Sequence, residues 1–181
     1  MISKEKYRAI CDKVLAYFEK ACIQLTAFEK TQIEIADFGL NDVENTGLQI
    51  VTYINTDRVC AKELVLLPGQ TCPEHKHPTI NGVPGKEETF RCRVGTVYLY
   101  VPGEAAAKPH CKPPENGAAH YTVWHEIKLN PGEQYMLYPD TPHWFQAGET
   151  GAIVSEFSTK STDDADIFTD PRIVRAPVVA S

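Results

Sequence analysis

Gly69-Gln70-Thr71-Cys72-Pro73-Glu74-His75-Lys76-His77, followed by Lys86-Glu87-Glu88 and then Gly95, is the stretch that decides the reading of this chain. A second segment completes it: Gly132, then Tyr138-Pro139-Asp140-Thr141-Pro142-His143. Side chains alternate faces along a β-strand, so His75 and His77 point the same way and Lys76 points opposite. A His-x-His pair by itself describes two ordinary surface histidines equally well. Glu88 and His143 shift that balance. Three imidazoles and a carboxylate from separate parts of the chain suit a divalent metal held on one side by protein and left open on the other. Glu87 and Glu88 face opposite sides of a strand, so only one joins the histidines, and the spacing to Gly95 selects Glu88. Glu87 reads as a solvated carboxylate, salt-bridged to Lys86. The shell contains no thiolate and accommodates manganese, iron, zinc or nickel.

Outward from this stretch the chain reads as a helix followed by strands. Residues 3–22 place Tyr7, Ile10, Cys11, Val14, Phe18 and Cys22 at steps of three and four, which is one helical face. Ser3 followed by Lys6 is not a full capping box, so the start of this helix is open. A second short helical stretch is expected around residues 25–31. From about residue 33, runs rich in β-branched and aromatic residues read as strands: 33–38, 48–54, 59–67, 89–101, 121–128, 134–138 and 152–158. Asn45-Thr46-Gly47, Leu67-Pro68-Gly69 and Asn130-Pro131-Gly132 mark turns between them. Many short strands with frequent turns indicate an all-β sandwich or barrel. Residues 103–120 are Pro- and Ala-rich and read as a surface loop.

A length of 181 residues suits one domain with its own core. Net charge of −6 argues against a general nucleic-acid binder. No apolar run approaches the roughly 20 residues needed to cross a bilayer, and the N-terminus lacks the apolar core of a signal peptide. The six cysteines are spread without close pairs, so reduced thiols and a cytoplasmic location are expected. His110, Cys111, His120 and His125 offer a second metal set, although loop and sheet-surface positions account for them more simply.

The order Gly69, His75-x-His77, Glu88, Gly95 resembles the first motif of the cupin superfamily, with a longer spacer between His77 and Glu88. The second motif keeps His143 but departs from the pattern at Tyr138, Asp140 and Ala147. Residues 67–78, 86–88, 139–146, 155–158 and 166–172 are similar, more narrowly, to the D-lyxose isomerase family. The resemblance runs from about residue 60 to 175. It implies a cupin-type β-barrel (jelly-roll) with the N-terminal helix or helices packed outside. It also implies manganese, aldose–ketose isomerisation of a free sugar, and a homodimer. The expected organisation is a single cupin domain over 1–181: a helical segment at about 1–32, the barrel at about 33–160, and a C-terminal extension at about 161–181.

Isomerisation requires a base as well as a metal. Glu156 is a charge out of pattern in the strand Ile153-Val154-Ser155-Glu156-Phe157, and a carboxylate facing a barrel interior is costly unless paired or used. Lys62 is similarly out of place in its strand and matches a family active-site lysine, although a lysine on a strand edge also discourages aggregation. Asp170 matches a family acidic residue near the pocket, while Asp170-Pro171 also reads as an ordinary turn. Phe145 shares a face with His143 and suits a pocket wall. The resulting expectation is a D-lyxose/D-xylulose isomerase acting through an enediolate, with D-mannose/D-fructose as a second pair. The alternatives are an iron cupin dioxygenase, a non-catalytic sugar-binding cupin, and a phosphosugar isomerase. The last needs a basic cluster, for which the sequence offers Lys62 with Arg91, Arg93 or Arg172.

Overall fold

The computed structural model describes residues 2–175; Met1 and residues 176–181, the end of the expected C-terminal extension, lie outside the described residues. The N-terminal helix α1 spans Lys4–Lys20, and the Ser3 side chain caps it by accepting from the Lys6 backbone N–H at 3.1 Å. Its buried positions Ile10, Val14 and Phe18 are four apart and form one stripe. A short helix α2, Ala27–Thr31, begins with a full capping box between Thr26 and Glu29.

Nine strands follow among the described residues, in one continuous hydrogen-bonded sheet: β1 Glu34–Ala36, β2 Leu48–Asn55, β3 Cys60–Leu66, β4 Thr71–Lys76, β5 Glu88–Val101, β6 His125–Leu129, β7 Gln134–Leu137, β8 His143–Ser158 and β9 Ile167–Phe168. The sheet curls into a half-barrel. Its outer face over β1–β3 is covered by α1, where Val14 and Phe18 pack against Ile33, Ile35, Val51 and Val65. Its inner face carries a second cluster that includes Ile50, Leu64, Phe90, Leu99, Phe145 and Val154.

β8 organises the architecture. Its first half pairs with β4, with His143 opposite His75, and its second half pairs with β3, with Glu156 opposite Lys62. β5 runs antiparallel along its full length, from Glu88↔Ser158 to Tyr100↔Trp144. Both long strands must bend at the same place. Gly95 (φ +74°) makes this possible, because a Cβ there would lie 2.0 Å from the Gly151 carbonyl oxygen. Register shifts on either side of Gly95 change which parity faces inward: Glu88, Phe90 and Cys92 before it, Val97, Leu99 and Val101 after it.

Two expected strand boundaries differ by more than two residues, and β4 and β9 add to the expected runs. The strand expected over 121–128 starts only at His125, because the backbone N–H groups of Thr122 and Val123 donate to the Glu74 carboxylate instead of to a ladder. The strand expected over 152–158 begins at His143 and is continuous through the glycine bend. All six cysteines are unpaired, as the sequence implies. No helix of the described residues is long and apolar enough to cross a membrane.

Candidate metal centre

Strand period places the functional side chains, with one correction by a bulge. Along β3, Lys62, Leu64 and Leu66 alternate inward, so the lysine enters the half-barrel with the leucines. Along β4, Cys72 and His75 both face the cavity although they are an odd number of residues apart. One extra residue in β4, between the pairs Cys72↔Phe145 and His75↔His143, makes this possible. Pro73 lies within this bulge, where no ladder N–H is needed.

His75, His77 and His143 converge, and their candidate ligand atoms lie within 4.8 Å of one another. Glu88 Oε1 sits 3.2 Å from both His77 Nε2 and His143 Nε2. The other ring nitrogens explain the orientation. His75 Nδ1 is 2.8 Å from the Pro73 carbonyl, His143 Nδ1 is 2.9 Å from the Thr141 carbonyl, and His77 Nδ1 is 2.6 Å from the Asp166 carboxylate. Each of these partners can only accept, so each neutral imidazole keeps its proton on Nδ1 and aims the Nε2 lone pair at the centre. His143 Nε2 is buried with no hydrogen-bond partner of its own. Lone pairs facing a carboxylate oxygen at this distance repel unless a cation lies among them. The donor set therefore fits a divalent ion.

The charges agree with this. Burial and the two neighbouring imidazoles push His75 well below its ordinary value. Burial also opposes charge on His77, but Glu88 and the bond to Asp166 outweigh it and raise His77 to about 9. A proton on His77 thus supplies the positive charge that an ion would otherwise bring. Burial raises Glu88, but Lys86 and His77 dominate and hold it well below the usual carboxylate range.

A small cavity opens beside the histidines. Glu156, Lys62 and Phe145 line it, as does Lys86. Lys86 is 95% buried and links the two carboxylates, with Nζ 2.7 Å from Glu88 Oε2 and 3.0 Å from Glu156 Oε1. Lys62 Nζ reaches Glu156 Oε1 at 3.8 Å and bonds Ser161 and Asp163 at 2.7 Å each. Glu87 is exposed, as expected, but Lys86 is not its surface partner. Lys86 lies two residues before Glu88 and so shares its inward side.

Asp170 is not brought to this cavity. Thr169 is pinned to Glu74 by a backbone bond of 3.0 Å and a hydroxyl bond of 2.6 Å, and β9 ends at Phe168. The chain then turns away, and Asp170 pairs with Arg172 at 2.6 Å and lies 3.7 Å from His120, beside a separate small cavity. The strand alternation that would have carried Asp170 inward has stopped two residues earlier. His110 bonds Glu126 and His125 faces the Glu104 carbonyl, so the second candidate metal set does not assemble. The sequence reading overlooked Lys86, Asp163, Asp166, Phe168 and Arg175, all of which line the central cavity. Four of these five lie in the segment after β8, where no long periodic pattern marks which side chains turn inward.

A family model described as D-lyxose isomerase matches residues 23–180. The chain belongs to the D-lyxose isomerase family. By that membership it is an aldose–ketose isomerase. It is 64% identical to the D-lyxose/D-mannose isomerase of Thermosediminibacter oceani, with 99% of each chain covered. It is 58% identical to the D-lyxose ketol-isomerase of Cohnella laeviribosi, with 96% of each covered. Among solved structures, the L-ribose isomerase of Cellulomonas parahominis superposes with a TM-score of 0.80 over 94% of each chain at 15% identity. That similarity places the half-barrel in the cupin fold.

The role of Asp166 is open to a direct test. Asp166→Asn removes the charge that orients and polarises His77, and should weaken divalent-metal affinity about 10–100-fold. His77→Ala should abolish stoichiometric binding. Competition against a fluorescent chelator measures both. Unchanged affinity in Asp166→Asn would contradict the role assigned to it.

Proposed function

We propose that this protein interconverts D-lyxose and D-xylulose, and more slowly D-mannose and D-fructose, with His75, His77, Glu88 and His143 holding manganese. The observation that supports this most is the pairing of an inward Glu156 with Lys86 beside the histidine cluster. D-Lyxose and D-mannose share configuration from C2 to C4, so the reacting end of either sugar presents the same hydroxyls to the same groups.

A divalent ion, when bound, polarises the sugar carbonyl and offsets the negative charge that develops on the two reacting oxygens. The remaining chemistry falls to the chain. Glu156 takes the proton from C2 of the aldose and returns it to C1 through an enediolate, while the O2 hydroxyl proton passes to O1, so that the carbonyl moves from C1 to C2. Lys86, 3.0 Å from Glu156, pairs with that carboxylate and brings positive charge close to the reacting oxygens. Lys62 stands one layer behind and holds Glu156 across the β3–β8 ladder. Phe90, Phe145 and Phe168 supply the apolar walls that exclude water from the reacting carbons. Asp170, in this reading, serves to orient Arg172, which also bonds Asn116.

We also propose a homodimer formed through the sheet's uncovered outer face. Ile54, Ala61, Phe157, Thr89 and Met136 form one row across five strands, and Ile54, Phe157 and Met136 are 47%, 50% and 41% exposed. A largely apolar row of this kind on a sheet calls for a partner, and a second copy of the chain presents the same row. The unpaired cysteines suit a reducing compartment, and we assign the protein to the cytoplasm.

Two measurements check these assignments. Glu156→Gln keeps shape and removes the base, so kcat on D-lyxose should fall about 10²–10⁴-fold while metal content is retained. Near-normal kcat would place the base elsewhere, and no ketose from D-lyxose with manganese supplied would remove the substrate assignment. For the assembly, Phe157→Arg should sediment as a monomer where the unmodified chain sediments as a dimer. An unchanged sedimentation coefficient in the variant would rule out this face.

A further inference from the structure

Three cations from three parts of the chain meet at one carboxylate. Asp163 Oδ2 lies 2.7 Å from Lys62 Nζ and 3.4 Å from Arg175 Nη2, and its Oδ1 lies 3.6 Å from Lys86 Nζ. The Ser161 hydroxyl also donates to it. Each cation also faces another carboxylate. Lys62 has Glu156 at 3.8 Å, Lys86 has Glu88 at 2.7 Å and Glu156 at 3.0 Å, and Arg175 has Glu34 at 2.5 Å. Asp163 alone is shared by all three. It sits in a short 3-10 turn, Asp163–Ala165, directly after the long strand β8. All four residues line the central cavity.

Lys62, Lys86 and Arg175 form the kind of converging basic cluster that a phosphate or carboxylate ligand requires. The three arginines offered for that purpose by the sequence lie elsewhere: Arg91 bonds Gln134, Arg93 bonds Ser155, and Arg172 bonds Asp170. The cluster is therefore real but built from other residues, and its anion comes from within the chain. A bound anionic ligand would have to displace Asp163 or sit beside it, and like charges at such a distance are strongly penalised in a buried site. An uncharged sugar meets no such barrier, because its hydroxyls can donate to the same carboxylate.

We propose that Asp163 is a specificity-determining residue: its carboxylate occupies the anion position built by Lys62, Lys86 and Arg175, and so reserves the cavity for free sugars over phosphorylated ones. This rests on the sugar-isomerase reading of the cavity given above.

The test is titration of inorganic phosphate, followed by calorimetry and ³¹P line width, into the full chain both metal-loaded and metal-stripped. Running both forms separates phosphate bound to the metal from phosphate bound to the basic cluster. The wild-type chain should show no saturable site at the cluster. Asp163→Asn, which keeps the shape and removes the charge, should show one, at least about tenfold tighter than any binding by wild type. Adding Lys62→Met to Asp163→Asn should abolish it. Circular dichroism checks folding, and Asp163→Ser serves if the Asn variant does not fold. Saturable phosphate binding by the wild type at the cluster, no gain in a folded Asp163 variant, or retention of the gain in the Lys62→Met double variant would each overturn the proposal. Phosphate binding is read without turnover. Failure of D-lyxose turnover in the wild type would therefore count against the functional reading alone. Normal turnover with no phosphate gain would count against Asp163 alone.

Discussion

Three imidazole lone pairs and one carboxylate oxygen are turned toward the same buried point, and the fold is arranged to keep them there. Left to themselves these groups would separate, since each is an acceptor and all are shielded from water. They are held by what lies behind them. Two backbone carbonyls and Asp166 fix the Nδ1 side of each ring. The β4 bulge turns His75 inward beside His143, and the bend at Gly95 lets β5 and β8 stay paired while Glu88 and Glu156 remain on the inner side. A cation resolves the conflict that the backbone imposes, and this is the physical basis for reading the cluster as a metal centre.

The base and the metal ligands belong to one charge network. Lys86 touches Glu88 on one side and Glu156 on the other, so the proposed base and a ligand carboxylate are held by the same ammonium group. Burial opposes charge on Lys86, but the surrounding carboxylates prevail and hold it well above the ordinary lysine range. Burial likewise opposes charge on Asp163, and Lys86 and Lys62 overcome it, pushing its carboxyl well below the usual range. The segment after β8 thus closes the cavity with contacts to the working residues themselves: Asp163 to the lysines, Asp166 to His77, and Phe168 stacked on His75. A substitution in this segment should act on the site as well as on the fold.

Much of this arrangement can be read from the chain because strand alternation is strict wherever one face is buried. Period two puts His75 with His77, admits only one of Glu87 and Glu88, the spacing to Gly95 selecting Glu88, and sets Lys62 and Glu156 on the same side as Leu64 and Val154. The same rule points to Lys86, two residues before Glu88, but a lysine beside two glutamates reads as a surface pair. The rule fails for Asp170 because β9 stops at Phe168 and Thr169 is drawn to Glu74. Asp163, Asp166 and Arg175 were hidden for a different reason. They lie in turns and short elements, where only tertiary contacts decide which side chain faces inward.

The most direct test of this account is nuclear magnetic resonance of the ¹⁵N-histidine-labelled protein loaded with ¹¹³Cd. Three histidines should show one-bond cadmium–nitrogen coupling through Nε2, while their Nδ1 atoms remain protonated. Coupling through any Nδ1, or to fewer than three rings, would contradict the lone-pair arrangement from which the metal centre and its chemistry are inferred.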